Sequence, residues 1–151
     1  MTSSASSPTH PDAPSLARRR AVCVFAFAVT LLLGLASRRW QAVLPDLFGK
    51  YPGDALWALM VFFGWTAIQP RATTPRIALL AFATSAAVEA CKLWQAPWLV
   101  QIRHTTLGHL VFGHVFSWQN LVAYAVGVTA GIVIDPLLLE LRHASAIRFG
   151  R

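Results

Sequence analysis

Four long apolar blocks, separated by short polar segments, determine the architecture that the sequence predicts. They cover residues 21–37, 55–69, 76–96 and 118–141. Blocks of this kind are typical of membrane-spanning helices, which need about 20 apolar residues to cross a hydrocarbon core of about 30 Å. The pattern therefore predicts an all-α protein, an integral-membrane bundle of four transmembrane helices.

The first two blocks each leave a question open. GLA (34–36) in the first block resembles a signal-peptide cleavage site, but the long tail before the block favours an uncleaved span. The second block has 15 residues and reaches only about 22 Å as a helix, so whether it fully spans is not settled. Asp54 stands directly before it, in the position of a helix N-cap.

The third connecting segment is the longest, and it predicts a short helix of its own. Pro97 is expected to end the third span. The stretch TTLGHLVFGHVFSW (105–118) then follows, apolar but interrupted by two histidines and two glycines. Such a segment suits a short helix in the membrane interface, and Ser117 is the expected N-cap of the fourth span.

The pattern divides the chain into three parts. Residues 1–17 are rich in Ser, Pro and Thr and are expected to form a disordered tail. Residues 18–143 form the four-helix membrane domain, and residues 144–151 form a C-terminal tail. A chain of 151 residues is long enough for one such domain.

Composition agrees with a membrane protein and argues against a nucleic-acid partner. The chain is 56% hydrophobic and only 13% charged, about half the charged fraction of a soluble domain. The formal net charge is +7, but the basic residues stand in twos and threes at the ends of the apolar blocks. In that position they act as membrane anchors and topology signals.

The distribution of Lys and Arg predicts that both termini lie in the cytoplasm. Eight of these residues fall in the N-terminal tail, the second loop and the C-terminus, against five in the first and third loops. Cytoplasmic loops carry the excess of basic residues. The predicted localisation is therefore multi-pass in the membrane, with the first and third loops outside.

Glu89 and Lys92 are the main candidates for chemistry, because they lie inside the third apolar block. Glu89 follows Arg76 by 13 residues, which places it about 20 Å along the helix. An ionisable group at that depth costs about 2.5–3.5 kcal/mol and is a functional hypothesis by default. Ser85, Glu89 and Lys92 share one helix face, which is expected to point into the bundle, with Lys92 extending outward to the interface.

This pair is open to two interpretations: a structural pair that fixes helix packing, or part of a polar site at the outer face. The second is favoured by the other polar residues that the predicted topology places at the outer end. Arg38 and Arg39 also suit plain interface anchors. The candidate ligand-binding residues are Glu89, Lys92, Gln95, Arg103, His109, His114, Arg38, Arg39, Asp54 and Asn120.

Both deep carboxylates are expected to have basic partners. For Glu89 the expected second partner is Arg103 or one of the two arginines at 38 and 39, because a guanidinium grips a carboxylate with two hydrogen bonds. Asp135 lies before Pro136 at the inner end of the fourth block. Its expected partner is a basic residue such as Arg71, Arg76 or Arg142.

The sequence gives no reason to expect a metal or a cofactor. His109 and His114 are five residues apart and would diverge by about 140° on a helix, unlike a helical zinc site. Cys23 and Cys91 form neither a disulfide framework nor a metal pattern. Phosphate-loop, dinucleotide and nucleophile-elbow motifs are absent, so no catalytic residue is assigned and an enzyme is the less favoured class.

Several stretches resemble a known family. They are YPGDALWALMVFF (51–63), VEACKLWQAPWL (88–99) and NLVAYAVGVTAG (120–131), together with Arg103. They look like a family of small bacterial inner-membrane proteins classed only as a domain of unknown function, which is in turn similar to the VanZ-like proteins. The resemblance implies the bacterial inner membrane and leaves the activity open.

Within the VanZ-like pattern, Glu89 matches a Glu at the end of one span, and Gly127 and Gly131 match the spaced glycines of the last span. The same two glycines predict close packing of the fourth helix. Lys92 stands where the pattern favours Gln, and Asn120 belongs to a Gln-Asn pair in place of an acidic start. A function that needs that acid does not carry over.

Three functional hypotheses follow. The first is a non-enzymatic protein that binds an envelope lipid or another anionic headgroup through Arg103 and Lys92. The second is an intramembrane enzyme that uses Glu89 with His109 or His114, which requires room for a substrate. The third is a helper subunit whose polar stripe meets another membrane protein, which requires Glu89 to face lipid in the isolated chain. Membrane lipids are the expected partners in the first case.

Overall fold

The computed structural model describes residues 13–39, 51–94, 96–105, 108 and 116–149, and their side chains except at 13–15, 38, 39, 103 and 138–149. The described residues are all-α, with no strand among them, as predicted. The helices are α1 (Ala13–Arg39), α2 (Tyr51–Ile68), α3 (Thr74–Cys91), α4 (Pro97–His104) and α5 (Trp118–Phe149).

Two of these helices contain a stretch long and apolar enough to cross a membrane. Within the described residues these stretches are Leu16–Ser37 in α1 and Trp118–Leu137 in α5. Four such helices were expected. The helices α2 and α3 have 18 residues each, and polar residues such as Asp54 and Glu89 reduce their mean hydropathy, which is why they do not stand out by composition.

The predicted start of the second helix is wrong by four residues. The helix α2 begins at Tyr51 and not after Asp54, because Pro52 fits the first turn of a helix, where its missing N–H has no intrahelical partner to lose. Asp54 is therefore not an N-cap. It lies in the first turn of α2, where a negative charge is favourable to the helix dipole.

The expected end of the third helix is also wrong. The helix α3 ends at Cys91, and Pro97 begins α4 as its first residue instead of ending a span. Ala96 before it is extended (φ −59°, ψ 137°), since a residue that precedes proline avoids the helical region. The short helix expected within residues 105–118 lies mostly outside the described residues, and the loop helix that is described occupies Pro97–His104.

Ser117 directly precedes α5, as predicted, and α5 then runs to Phe149. This helix passes through Pro136 and extends beyond residue 143, so residues 144–149 are helical. Its first turn is closed by a hydrogen bond from the Asn120 N–H to the Ser117 carbonyl, 3.1 Å.

The helix α2 is the centre of the bundle, because it packs against α1, α3 and α5, and α3 also packs against α5. Ala55 and Phe62 of α2 face Gly127 and Gly131 of α5 in the same order, so these two helices are parallel. A Cβ atom on Gly127 would lie 2.1 Å from the Ala55 carbonyl oxygen. The predicted close packing at the two glycines is therefore confirmed.

The other contacts show that the helices alternate in direction. Glu89, at the end of α3, contacts Asn120 at the start of α5, whereas Thr74, at the start of α3, contacts Asp135. Arg19, near the start of α1, contacts Pro70 after α2, so α1 is antiparallel to α2. The bundle thus has two ends, which we call the Glu89 end and the Asp135 end.

Many large apolar side chains of the bundle are exposed, whereas several of its buried side chains are polar. Glu89, Ser85 and Thr66 are completely buried. In the first candidate span only 11% of the residues are buried. Large exposed apolar side chains occur on the four long helices, among them Phe25, Leu32, Ile68, Leu79, Val122 and Val126.

Candidate functional site

Glu89 is the centre of a buried polar cluster at its end of the bundle. Its Oε1 accepts hydrogen bonds from the Ser117 main-chain N–H (2.8 Å) and from Asn120 Nδ2 (3.0 Å). Its Oε2 accepts from Lys92 Nζ (2.5 Å) and the Tyr124 hydroxyl (2.8 Å). We call these five residues the Glu89 cluster.

The helices bring the cluster together through simple spacing. Glu89 lies in the last turn of α3, and Lys92 directly follows this helix in helical conformation, so the two side chains are one turn apart on one face. Asn120 and Tyr124 are four residues apart on α5 and also share one face. Because α3 and α5 are antiparallel, the end of α3 meets the start of α5. Ser117, just before α5, then presents its main-chain N–H to the same carboxylate.

The predicted inward direction of the polar face of α3 is confirmed, since Ser85 and Glu89 are completely buried and Lys92 is 8% exposed. The predicted outward extension of Lys92 is wrong. Its ammonium group folds back one turn and bonds to Glu89. The physical reason is the desolvated carboxylate, because an unpaired charge at that site would cost several kcal/mol.

The hydrogen-bonding pattern around Glu89 fits an ionised carboxylate. An ionised carboxylate only accepts hydrogen bonds, and all four groups that contact Glu89 are donors. A buried ion pair contributes to stability only when hydrogen bonds satisfy its remaining polar atoms. The neutral donors Asn120 and Tyr124 supply such hydrogen bonds to Glu89.

Two members of the cluster were not predicted. Ser117 was expected only as a helix N-cap, and its main-chain N–H carries no signal in a sequence. Tyr124 stands in an apolar block, where a tyrosine resembles an ordinary core residue. Its position four residues after Asn120 is the signal that could have placed its hydroxyl on the same face.

The remaining candidate residues are placed only in part. Asp54 is buried, and it precedes Ala55, which packs on Gly127, so it lies at the Glu89 end. Gln95, His109 and His114 lie outside the described residues, as do the side chains of Arg38, Arg39 and Arg103. The expected pairing of an arginine with Glu89 therefore stays a prediction.

The geometry suits fixing a structure better than transferring a proton. Glu89 is completely buried, and both of its oxygens are occupied by donors of the protein itself. A general acid or base must come within hydrogen-bond reach of its substrate. Among the described residues, no three His, Cys, Asp or Glu side chains come together as a metal site would require.

A second polar cluster lies at the opposite end. Asp135 accepts hydrogen bonds from Arg19 Nη2 at both oxygens (3.2 and 2.9 Å) and from the Thr74 hydroxyl (2.9 Å). Arg19 also donates from Nη1 to the Pro70 carbonyl, 2.6 Å. These bonds join α1, α3, α5 and the turn after α2.

The partners predicted for Asp135 are thus corrected. The structure pairs it with Arg19, whereas Arg71 and Arg76 are exposed and the Arg142 side chain lies outside the described part. The reason is the early start of α1 at Ala13. Arg19 thereby lies within a helix, one turn before the apolar core of α1, and reaches across to α5.

Fold and site together define an all-α protein with two candidate membrane-spanning helices and a buried, fully bonded carboxylate between two of its helices. The chain belongs to the family described as "Protein of unknown function (DUF2809)", which matches residues 43–128. No solved structure matches the chain. Membership of a family of unknown function is therefore confirmed, and the likeness to VanZ-like proteins stays a prediction.

The match covers α2, α3, α4 and the first third of α5. It therefore includes all five residues of the Glu89 cluster, whereas Arg19 and Asp135 of the second cluster fall outside it. The Glu89 cluster therefore lies within the part of the chain that matches the family.

Proposed function

We propose that this is a four-span protein of the bacterial inner membrane, with both termini in the cytoplasm, that binds an envelope lipid or another anionic headgroup at its Glu89 end. The alternating helix directions support the four spans. So do the many large apolar side chains that are exposed on the helices, because large exposed apolar patches mark protein or membrane contacts.

Two features reconcile α2 and α3 with membrane crossing. Their 18 residues each give a length of about 27 Å as a helix, close to a hydrocarbon core of about 30 Å. Their polar side chains Asp54, Ser85 and Glu89 are buried inside the bundle. Lipid would thus contact their apolar faces, which are more apolar than the average over each whole helix.

The orientation rests on charge. The alternating helices bring the basic stretch at 18–20 to the same end as Arg71 and Arg76, and this group belongs to the larger share of the Lys and Arg residues. Because cytoplasmic segments carry that excess, the Asp135 end faces the cytoplasm and the Glu89 end faces outward.

A single observation carries the headgroup site: the hydrogen bond from the Ser117 main-chain N–H to Glu89. It ties the end of the third loop to the bundle, and this loop carries Gln95, Arg103, His109 and His114. In this proposal the Glu89 cluster is the support beneath the site. The loop supplies the contacts, with Arg103 as the residue best suited to a phosphate or carboxylate.

The two alternatives have less support. A helper subunit was expected to turn Glu89 towards lipid, yet the side chain is completely buried. An enzyme was expected to leave room beside the carboxylate, yet both oxygens are bonded within the chain. The histidines that such an enzyme would use lie outside the described residues.

Native mass spectrometry of the detergent-purified protein with added phosphatidylglycerol tests the site. Arg103→Gln is expected to weaken binding of this lipid at one site about tenfold, which is the loss of about 1.4 kcal/mol. Arg18→Gln removes the same charge from an exposed side chain of α1 and is the matched control. Wild-type affinity in Arg103→Gln, or an equal loss in both variants, contradicts the proposal.

A further inference from the structure

A cavity lies at the Asp135 end, away from the Glu89 cluster. It has a volume of about 590 Å³ and opens between the start of α1 and the turn that joins α2 to α3. Its charged lining residues are Arg20, Arg71 and Arg76. The sequence indicated a topology signal at these positions and, for Arg71 and Arg76, a possible pairing with Asp135.

Among the described residues that line the cavity, the three guanidinium groups have no negative counterpart. The nearby carboxylate of Asp135 is already occupied by Arg19 and Thr74. Three positive charges around one cavity, with no acid among its described lining residues, favour a bound anion.

One of the arginines is held in place by the protein. Arg20 donates a hydrogen bond from Nε to the Ala67 carbonyl, 3.0 Å, which fixes its guanidinium beside the end of α2. Arg76 lies in the first turn of α3, which begins at Thr74. The positive end of that helix dipole therefore adds to the same field.

The remaining wall indicates which anion fits. Leu16 and Ile68 also line the cavity, and Ile68 is 67% exposed. Leu16 is the first residue of the candidate span Leu16–Ser37, so the cavity lies at the level where lipid headgroups meet a membrane. An apolar wall beside a basic one fits an amphipathic anion better than free phosphate.

We propose that this cavity binds the phosphate of an anionic phospholipid, with the guanidinium groups of Arg20, Arg71 and Arg76 around the phosphate and Leu16 and Ile68 against the glycerol and upper acyl chain. This inference rests on the four-span membrane protein proposed above, but not on the headgroup site at the Glu89 end. The lipid belongs to the leaflet at the Asp135 end.

The test is a titration of the full chain in detergent with phosphatidylglycerol, followed by native mass spectrometry. The double variant Arg71→Gln/Arg76→Gln is expected to weaken binding at one site at least tenfold, whereas Arg18→Gln, outside the cavity, is expected to change it by less than about twofold. Both substituted side chains are exposed, so the variant is expected to fold, and thermal unfolding checks this.

Other outcomes overturn the inference. Unchanged affinity in the double variant contradicts a lipid site in this cavity. An equal loss in Arg18→Gln shows that binding depends on the overall positive charge and not on the cavity. Full displacement of the lipid by excess inorganic phosphate assigns the cavity to free phosphate. Loss of the lipid in Arg103→Gln but not in Arg71→Gln/Arg76→Gln supports the site at the Glu89 end alone, which separates the two proposals.

Discussion

Replacing Lys92 by methionine removes the positive charge from the Glu89 cluster and keeps the length of the side chain. Glu89 is completely buried and lies 2.5 Å from the Lys92 ammonium. Breaking a buried ion pair at one partner costs about 3–5 kcal/mol. Because Asn120, Tyr124 and the Ser117 N–H still donate to the carboxylate, we expect about 3 kcal/mol, the lower end of this range.

The double variant Glu89→Gln/Lys92→Met is expected to be more stable than Lys92→Met alone. The amide of the glutamine keeps a carbonyl oxygen for the Ser117 N–H and Asn120, and no buried charge remains. The coupling free energy of the two positions is expected to be about 2 kcal/mol, within the range of about 0.5–3 kcal/mol for contacting residues.

Reversible unfolding in mixed detergent micelles, followed by far-UV circular dichroism, measures these free energies. Arg18→Met removes a positive charge from an exposed side chain and is expected to cost less than about 0.5 kcal/mol. If Lys92→Met is as stable as this control, or if the two changes at 89 and 92 are additive, the reasoning about the buried pair is refuted.

Three further predictions use the same unfolding assay. Gly127→Ala is expected to destabilise by about 1–3 kcal/mol, because its Cβ would lie 2.1 Å from a carbonyl oxygen. Gly34→Ala, whose nearest contact would be at 3.8 Å, is expected to be neutral or stabilising, and equal effects of the two changes would contradict the close packing at Gly127. Tyr124→Phe is expected to cost about 1–2 kcal/mol and the exposed Tyr51→Phe almost nothing, so a neutral Tyr124→Phe contradicts its bond to the carboxylate. Asp135→Asn is expected to destabilise by about 1–3 kcal/mol, and wild-type stability would show that its cluster does not join the helices.

The sequence was sufficient to predict helices and the direction of their polar faces, because apolar blocks and the spacing of Ser85, Glu89 and Lys92 depend only on helix periodicity. The positions of the helix ends were harder to predict from the sequence. The sequence placed Pro97 at the end of a helix and left Pro52 before the start of one, yet both stand in first turns, where proline is tolerated. A single proline does not reveal on which side of it the helix lies.

The partners of charged groups were the least predictable feature. Lys92 was expected to leave Glu89 partly compensated, and Asp135 was expected to bind an arginine from a nearby loop. The Glu89–Lys92 contact is local along the chain, and Lys92 folds back because the carboxylate is buried. The pairing of Asp135 depends on which helices are neighbours, and the linear sequence does not contain that information. Arg19, far from Asp135 along the chain, becomes its partner only because α1 and α5 meet at one end.

The central claim is that the protein has four spans with its Glu89 end on the outer side of the inner membrane, and membrane topology tests it most directly. Reporters that are active on only one side of the membrane are fused after Arg151, inserted in the turn at 69–73, and inserted in the loop at 105–117. The account predicts cytoplasmic signals from the first two positions and an external signal from the third. A cytoplasmic signal from the loop at 105–117 would contradict it, because Glu89 and the Asp135 end would then not lie on opposite sides of the membrane.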